Sequence, residues 1–230
     1  MKLTTMQAGK ELLGGKNVRR VLLICGILSS LLYVCTDMLG GVLYPDYSFI
    51  SQPISELAAV GAPVRTLTAP LFITYAVLLL AFGLGVWGSS GRNRSLRVTA
   101  GLLIGVGLIG LMWTPFPMHL GEPVSSPANT IHSIFAGVQV LLVMLAIGFG
   151  AIAYRNWFRF YSIGTILALL VAGVVAFWLA AAHGGIAPPQ WFGVIERINV
   201  YGYLLWVLVL AVVLLRVEKN TTALRESMAT

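Results

Sequence analysis

Six stretches of the chain are each apolar over about the 20 residues that a helix needs to cross the hydrocarbon layer of a bilayer. They run over residues 21–43, 67–87, 98–115, 128–153, 161–182 and 193–215. Of the 230 residues, 58% are hydrophobic and 10% charged, against roughly 25% charged in an ordinary soluble domain. So large an apolar surplus cannot be hidden inside one globule, which excludes a soluble enzyme. A disordered chain is excluded too, because such chains are poor in aromatic and branched residues. The expectation is an all-α, integral membrane six-helix bundle forming one domain over 21–216, between a tail at 1–20 and another at 217–230.

The turn chemistry agrees with those six spans. Gly88-Ser89-Ser90-Gly91 followed by Arg92-Asn93-Arg94 makes a basic linker, and Thr114-Pro115-Phe116-Pro117 lacks two backbone donors and should stop the third helix. Gly184-Gly185-Ile186-Ala187-Pro188-Pro189 separates the last two spans.

Lys and Arg collect on one side of the membrane and so set the orientation. Lys2, Lys10, Lys16, Arg19, Arg20, Arg92, Arg94, Arg97, Arg155, Arg159, Arg216, Lys219 and Arg225 fall on one side, and only Arg65 and Arg197 on the other. That bias places both termini in the cytoplasm, with the first apolar run retained as a helix and the protein in the cell membrane. The net charge of +7 is then a matter of topology and anionic lipid headgroups rather than of nucleic acid. Cys25 and Cys35 lie ten residues apart in the first span, about 15 Å along a helix and too far for a disulfide between them.

Small residues four apart let helix backbones approach in lipid, where no hydrophobic effect drives association. Gly26 with Ser30, Gly101 with Gly105, and Ala146 with Gly150 have that spacing. The first external connection, 44–66, carries helix signals of its own: Pro53 at a first helical position, and Gly61 with Pro63 as terminators. Ile54, Leu57 and Ala58 share one face and Ser55, Glu56 and Ala59 another, as in a short interfacial helix acting as a lid.

The polar residues are distributed unevenly. His119, His132 and His183 all fall at outer ends of spans, as do Asp37, Asp46, Glu56, Glu122 and Glu196. Asp37 is 17 residues from Arg20, about 25 Å along a helix, and lies inside the hydrocarbon layer. A carboxylate there costs about 2.5–3.5 kcal/mol unless it faces the bundle and finds a partner. Arg65 and Arg197 are the two basic residues on its side, so an ion pair with one of them is the structural reading; a chemical role for Asp37 is the other. Glu196 and Arg197 are adjacent and project about 100° apart, so at least one should face the bundle.

Three histidines with carboxylates nearby supply the groups of a zinc site, in which a bound water loses its proton near neutral pH. On that reading His119, His132 and His183 hold a single zinc. Asn129, one turn before His132, orients its imidazole. No HExxH, paired HxxxH or CxxC spacing accompanies them, and the ordinary role of such histidines is to hydrogen-bond headgroups and loop carbonyls. No histidine lies on the cytoplasmic half, which argues against a two-haem carrier. Neither a GxSxG turn nor a glycine-rich phosphate loop is present.

The run from Cys25 to Tyr33, then Asp37, Tyr44-Pro45, Tyr47-Ser48-Phe49-Ile50-Ser51-Gln52 and Ile54-Ser55-Glu56-Leu57, resembles a prokaryotic membrane family. Gly61-Ala62-Pro63, Phe116-Pro117-Met118-His119, Ile131-His132 and Glu196-Arg197-Ile198 extend the resemblance over roughly residues 20 to 216. The family is that of the domain of unknown function 998, and the Ser-Gln-x-Ile-Ser-Glu stretch is the most specific part of the match. The resemblance implies six spans and no assigned reaction.

Three functional expectations follow. The first is an enzyme or binding protein with an outward polar pocket that takes a lipid or small amphiphile from the outer leaflet. Its catalytic candidates are Asp37, Glu56, Glu196 and Arg197, and its binding candidates Ser55, Arg65 and Asn129. The second is a proton-linked small-molecule transporter or permease, for which the inner halves of the spans offer little beyond Thr68, Thr74, Thr99 and Thr165. The third is a non-catalytic partner subunit. Oligomeric state is left open.

Overall fold

The computed structural model describes residues 2–123, 125–155, 157–182 and 190–227. The chain forms α1 (Lys2–Leu43), a short 3-10 helix (Ile54–Ala58), α2 (Arg65–Ser89), α3 (Arg94–Met112), α4 (Pro127–Ala153), α5 (Trp157–Ala182) and α6 (Phe192–Ser227). Each of the six α-helices contains a segment long and apolar enough to cross a membrane, as the sequence predicts.

Boundaries move by a few residues, for local reasons. α3 stops at Met112, three residues before Pro115, because residues 113–115 turn ahead of the proline. Its start is fixed by Asn93, whose side-chain oxygen accepts the Leu96 N–H at 3.0 Å. Ser126 caps α4 in the same way, with Pro127 following at the first helical turn. The segments expected as tails continue the helices: α1 is helical from Lys2 and α6 to Ser227.

Each helix packs on its neighbour in sequence, and α6 returns to α1, so the six close into a ring. The seams of α1 with α2 and of α2 with α3 are the most extensive; those flanking α6 and α5 are slighter. Glycines set the close seams. A Cβ at Gly26 would enter the Phe82 ring, and one at Gly85 would meet the backbone of α1 at Leu22. Gly83, Gly107 and Gly110 bring α2 onto α3, where added Cβ atoms would meet Ile104, Leu80 and Ala76. Gly150 faces the Trp206 ring across the bundle, and Ser30 donates to Leu204 O at 2.9 Å.

Of the expected Gly101–Gly105 pair, Gly105 lies close against α4, where an added Cβ would stand 3.3 Å from Leu142. Gly101 is exposed, and the α2–α3 approach uses Gly107 and Gly110 on another face of α3. At the centre, Trp206, Phe82, Leu79, Leu103 and Ile147 are fully enclosed, and the Trp206 indole donates to Ser162 Oγ at 2.9 Å.

One end of the ring carries the 44–64 and 113–126 connections, and these two segments join. Val60 N–H donates to Met118 O at 2.8 Å, and Leu120 N–H returns to Val60 O at 3.1 Å. Gly61, between them, has φ +96°, a conformation that a side chain would strain. The first connection opens with a tight turn, Tyr47 N–H to Tyr44 O at 3.2 Å, with Pro45 leading and Asp46 at φ 61°.

Candidate functional site

Asp37 is fully buried near the end of α1, and Arg197, 7% exposed, reaches it from the first turns of α6. The guanidinium meets the carboxylate side-on, Nε to Oδ2 and Nη2 to Oδ1, both at 2.9 Å. Of the two cations expected as partners for Asp37, Arg197 is the one that pairs with it. Arg65 stands elsewhere, at the first turn of α2, and its Nη1 is enclosed with no hydrogen-bond acceptor among the described residues.

The remaining donors of Arg197 go to the first connection and to one carbonyl of α6 itself. Nη2 donates to the Tyr47 hydroxyl at 2.8 Å, while Nη1 donates to Phe49 O at 2.8 Å, Gln52 O at 3.1 Å and Gly193 O at 3.1 Å. The guanidinium carbon also sits 4.9 Å from the Phe49 ring centroid and 5.6 Å from that of Tyr47, within cation–π range. Asp37 receives a third bond, from the Tyr201 hydroxyl at 2.5 Å. All five N–H groups of the guanidinium are thereby used. A charge pair so satisfied can persist in a medium where an isolated charge could not.

Glu196 points to the same connection from the other side of Arg197. Its Oε2 accepts the Ile54 N–H at 2.7 Å, one of the donors that a helix leaves unpaired at its start. The carboxylate therefore caps the 3-10 helix from 142 residues away. Ile54 (1% exposed) and Leu57 (0%) turn into the bundle, and Thr68 of α2 donates to Leu57 O at 2.6 Å. The short helix expected over the bundle is present, its apolar face inserted between α1, α2 and α6.

Gln52 stitches the connection internally. Its side-chain oxygen accepts Ser48 N–H at 2.7 Å, and its amide donates to Glu56 Oε2, also at 2.7 Å. Burial raises the Glu56 carboxyl above the ordinary range, partly offset by that bond. Burial likewise raises the Tyr47 phenol, against the pull of the Arg197 hydrogen bond. Ser55 lies on the far side, with its hydroxyl 3.6 Å from Met118 Sδ. The Ser-Gln-x-Ile-Ser-Glu stretch thus supplies the stitch, the capped amide and a contact to the second connection.

The histidines are dispersed. His119 Nδ1 is 2.9 Å from Glu122 Oε1 at the surface, and bonds from Ser126 and His119 hold the Glu122 carboxyl below its usual range. His132 packs its ring 4.4 Å from that of Trp113 and approaches Phe116 O at 3.4 Å. His183 lies outside the described residues. No three His, Cys, Asp or Glu side chains come close enough to hold a metal ion among the described residues.

Asn129 does not orient His132. It is buried, and its amide accepts His119 N–H at 2.9 Å while donating to His119 O, Glu122 O and Pro123 O at 3.2–3.3 Å. It holds the backbone of the second connection. The four span threonines are spent on carbonyls: Thr68 on Leu57, Thr74 on Pro70, Thr99 on Ser95 and Thr165 on Tyr161.

Beside the Asp37–Arg197 pair lies a groove of about 450 Å³, walled by Met38 of α1, Phe49 and Ile50 of the connection, and Val194, Arg197, Ile198 and Tyr201 of α6. A second, of about 510 Å³, runs between Leu167, Ala168, Val171, Ala172 and Val175 of α5 and Ile195 and Ile198 of α6. Sequence reasoning missed Tyr47, Gln52, Gly193 and Tyr201. The first two lie within the stretch that carries the family resemblance, which was their available signal.

No curated protein and no solved structure matches the chain. Residues 27–213 match the family model described as "Protein of unknown function (DUF998)", and the chain belongs to that family.

Proposed function

We propose that this multi-pass protein binds a lipid or other amphiphile at the end of the bundle formed by the 44–64 and 113–126 connections, and that this end faces outward with both termini cytoplasmic. The observation that carries the reading is the groove beside Arg197. Its volume of about 450 Å³ lies within the roughly 300–1,000 Å³ of small-molecule sites, and its walls are hydrocarbon and aromatic ring apart from the Arg197 guanidinium and the Tyr201 hydroxyl, both already bonded to Asp37.

Binding is favoured over catalysis at this place. Asp37 and Arg197 spend their hydrogen bonds on each other, on two tyrosines and on loop carbonyls, so neither offers a free base or acid. In this reading Asp37, Arg197 and Glu196 are positioning residues that hold the wall of the groove, and Gln52 and Glu56 keep that wall in shape.

A ligand that binds only the native state raises its unfolding temperature by mass action. Delipidated protein in detergent should therefore gain thermal stability when phospholipid is added, and a Val194→Trp variant, whose indole fills the groove, should gain far less. A wild type whose melting is indifferent to phospholipid, fatty acid and lysolipid alike would overturn the reading.

A further inference from the structure

The two grooves lie on either side of one residue. Ile198, half exposed on α6, belongs to the wall of both: the α1 side is closed by Met38, Phe49 and Ile50, the α5 side by Leu167, Ala168, Val171, Ala172 and Val175. Their volumes, about 450 and 510 Å³, are nearly equal. They exist because α6 packs less extensively on α1 and α5 than α2 packs on its neighbours.

Resting on the lipid-binding reading above, we propose that the ligand is a two-chain lipid that straddles Ile198, one acyl chain in each groove. Three features on the page select that occupant. Both grooves open from membrane-spanning segments, so what meets them is the hydrocarbon of the bilayer. Among the described residues no unpaired charge or free hydrogen-bonding side chain lines either one, so a polar or charged ligand gains nothing there while a methylene chain loses nothing. And the two grooves share one wall residue, Ile198, so a molecule with two chains joined at one end can lie across it with one chain in each.

Joining two chains makes the second insertion intramolecular, which strengthens binding without any new kind of contact. A one-chain lipid of the same headgroup has no such gain. Arg197 stiffens the α1-side wall by fixing the Phe49 carbonyl and stacking on its ring, which ties the groove's shape to the buried ion pair.

The test is native mass spectrometry of the full-length protein in mild detergent, titrated with dioleoyl phosphatidylglycerol and with its one-chain lyso form. Two-chain lipid should bind at least about tenfold more tightly than the lyso form, or about 1.4 kcal/mol. Val194→Trp blocks the α1-side groove and Ala168→Phe, at an exposed position, the α5-side groove. Each folded variant should bring the two-chain affinity to within about threefold of that for the lyso form. Equal affinities for the two lipids in the wild type would overturn this proposal and leave the lipid-binding reading standing. So would a two-chain preference that survives in both folded variants. Binding of neither lipid above the detergent background would overturn both.

Discussion

Arg197 holds both carboxylate oxygens of Asp37 across 160 residues of chain, each at 2.9 Å, and so fastens the last helix of the ring to the first. The other five seams of the ring join helices consecutive in sequence, whereas α1 and α6 have no loop between them. Near their other ends the same two helices are joined again, by Arg19 and Glu218 at 2.5 Å. Both interhelical ion pairs among the described residues thus close the one seam that chain connectivity does not.

The two pairs should differ in worth. Arg19 keeps 33% and Glu218 14% of the side chain exposed, against 9% and 0% for Arg197 and Asp37, and a pair that solvent still reaches contributes about 0–1 kcal/mol. Glu218→Gln should therefore lower unfolding stability in detergent by less than about 1 kcal/mol, and rising salt should shrink even that difference. A cost of several kcal/mol would mean that the basic end carries more of the closure than its exposure allows.

Glu196 is expected to act through the Ile54 amide. Glu196→Ala leaves that donor without its acceptor, at a cost of about 1–3 kcal/mol. Amide exchange at Ile54 should quicken markedly, while Glu196→Gln, which keeps an oxygen in place, should stay close to the wild type. Exchange at Ile54 unchanged in the alanine variant would remove the carboxylate from the capping role.

Gly193 is where α6 passes closest to the first connection. A Cβ there would stand 2.5 Å from Gln52 O and 2.7 Å from Phe49 O, both of them acceptors for Arg197. Gly193→Ala should cost about 1–3 kcal/mol and open the 44–64 segment to protease. Gly137→Ala, inside α4 where nothing lies within 4 Å, is the control and should be neutral or stabilising by up to about 1 kcal/mol.

Much of this was legible in the sequence because hydrocarbon imposes length and composition on a span. The six helices follow from that constraint, and so do the place of Asp37 within the first apolar span and the short list of its partners. That at least one of Glu196 and Arg197 turns inward follows from their adjacency; that both do is seen only in the fold. What the sequence concealed was the set of acceptors that Arg197 uses. The carbonyls of Phe49, Gln52 and Gly193 carry no residue signature, and contacts some 150 residues apart leave no local period. The Gly101–Gly105 spacing misled at Gly101 for a related reason. In a chain with 25 glycines a four-residue spacing does not say which face meets a helix and which meets lipid.

Glu56 makes stability depend on pH in a direction that can be signed. Burial raises its folded carboxyl above the unfolded value, so between the two values the folded state binds more protons than the unfolded one. Stability contributed by this group therefore grows as pH falls through the raised folded value and is lost as pH rises through it. Glu56→Gln, neutral at every pH, should flatten that part of the profile just above the ordinary carboxylate range. An unaltered profile in the variant would show that another group sets the dependence.

The most direct test of the closure is a double-mutant cycle on Asp37 and Arg197, read by unfolding of the detergent-solubilised protein. Asp37→Leu and Arg197→Met each strand a buried charge or empty its place, and each should cost about 3–5 kcal/mol. The double variant should cost less than their sum by about 1–3 kcal/mol, because neither charge is then left alone. Costs that simply add, or single variants as stable as the wild type, would contradict the account.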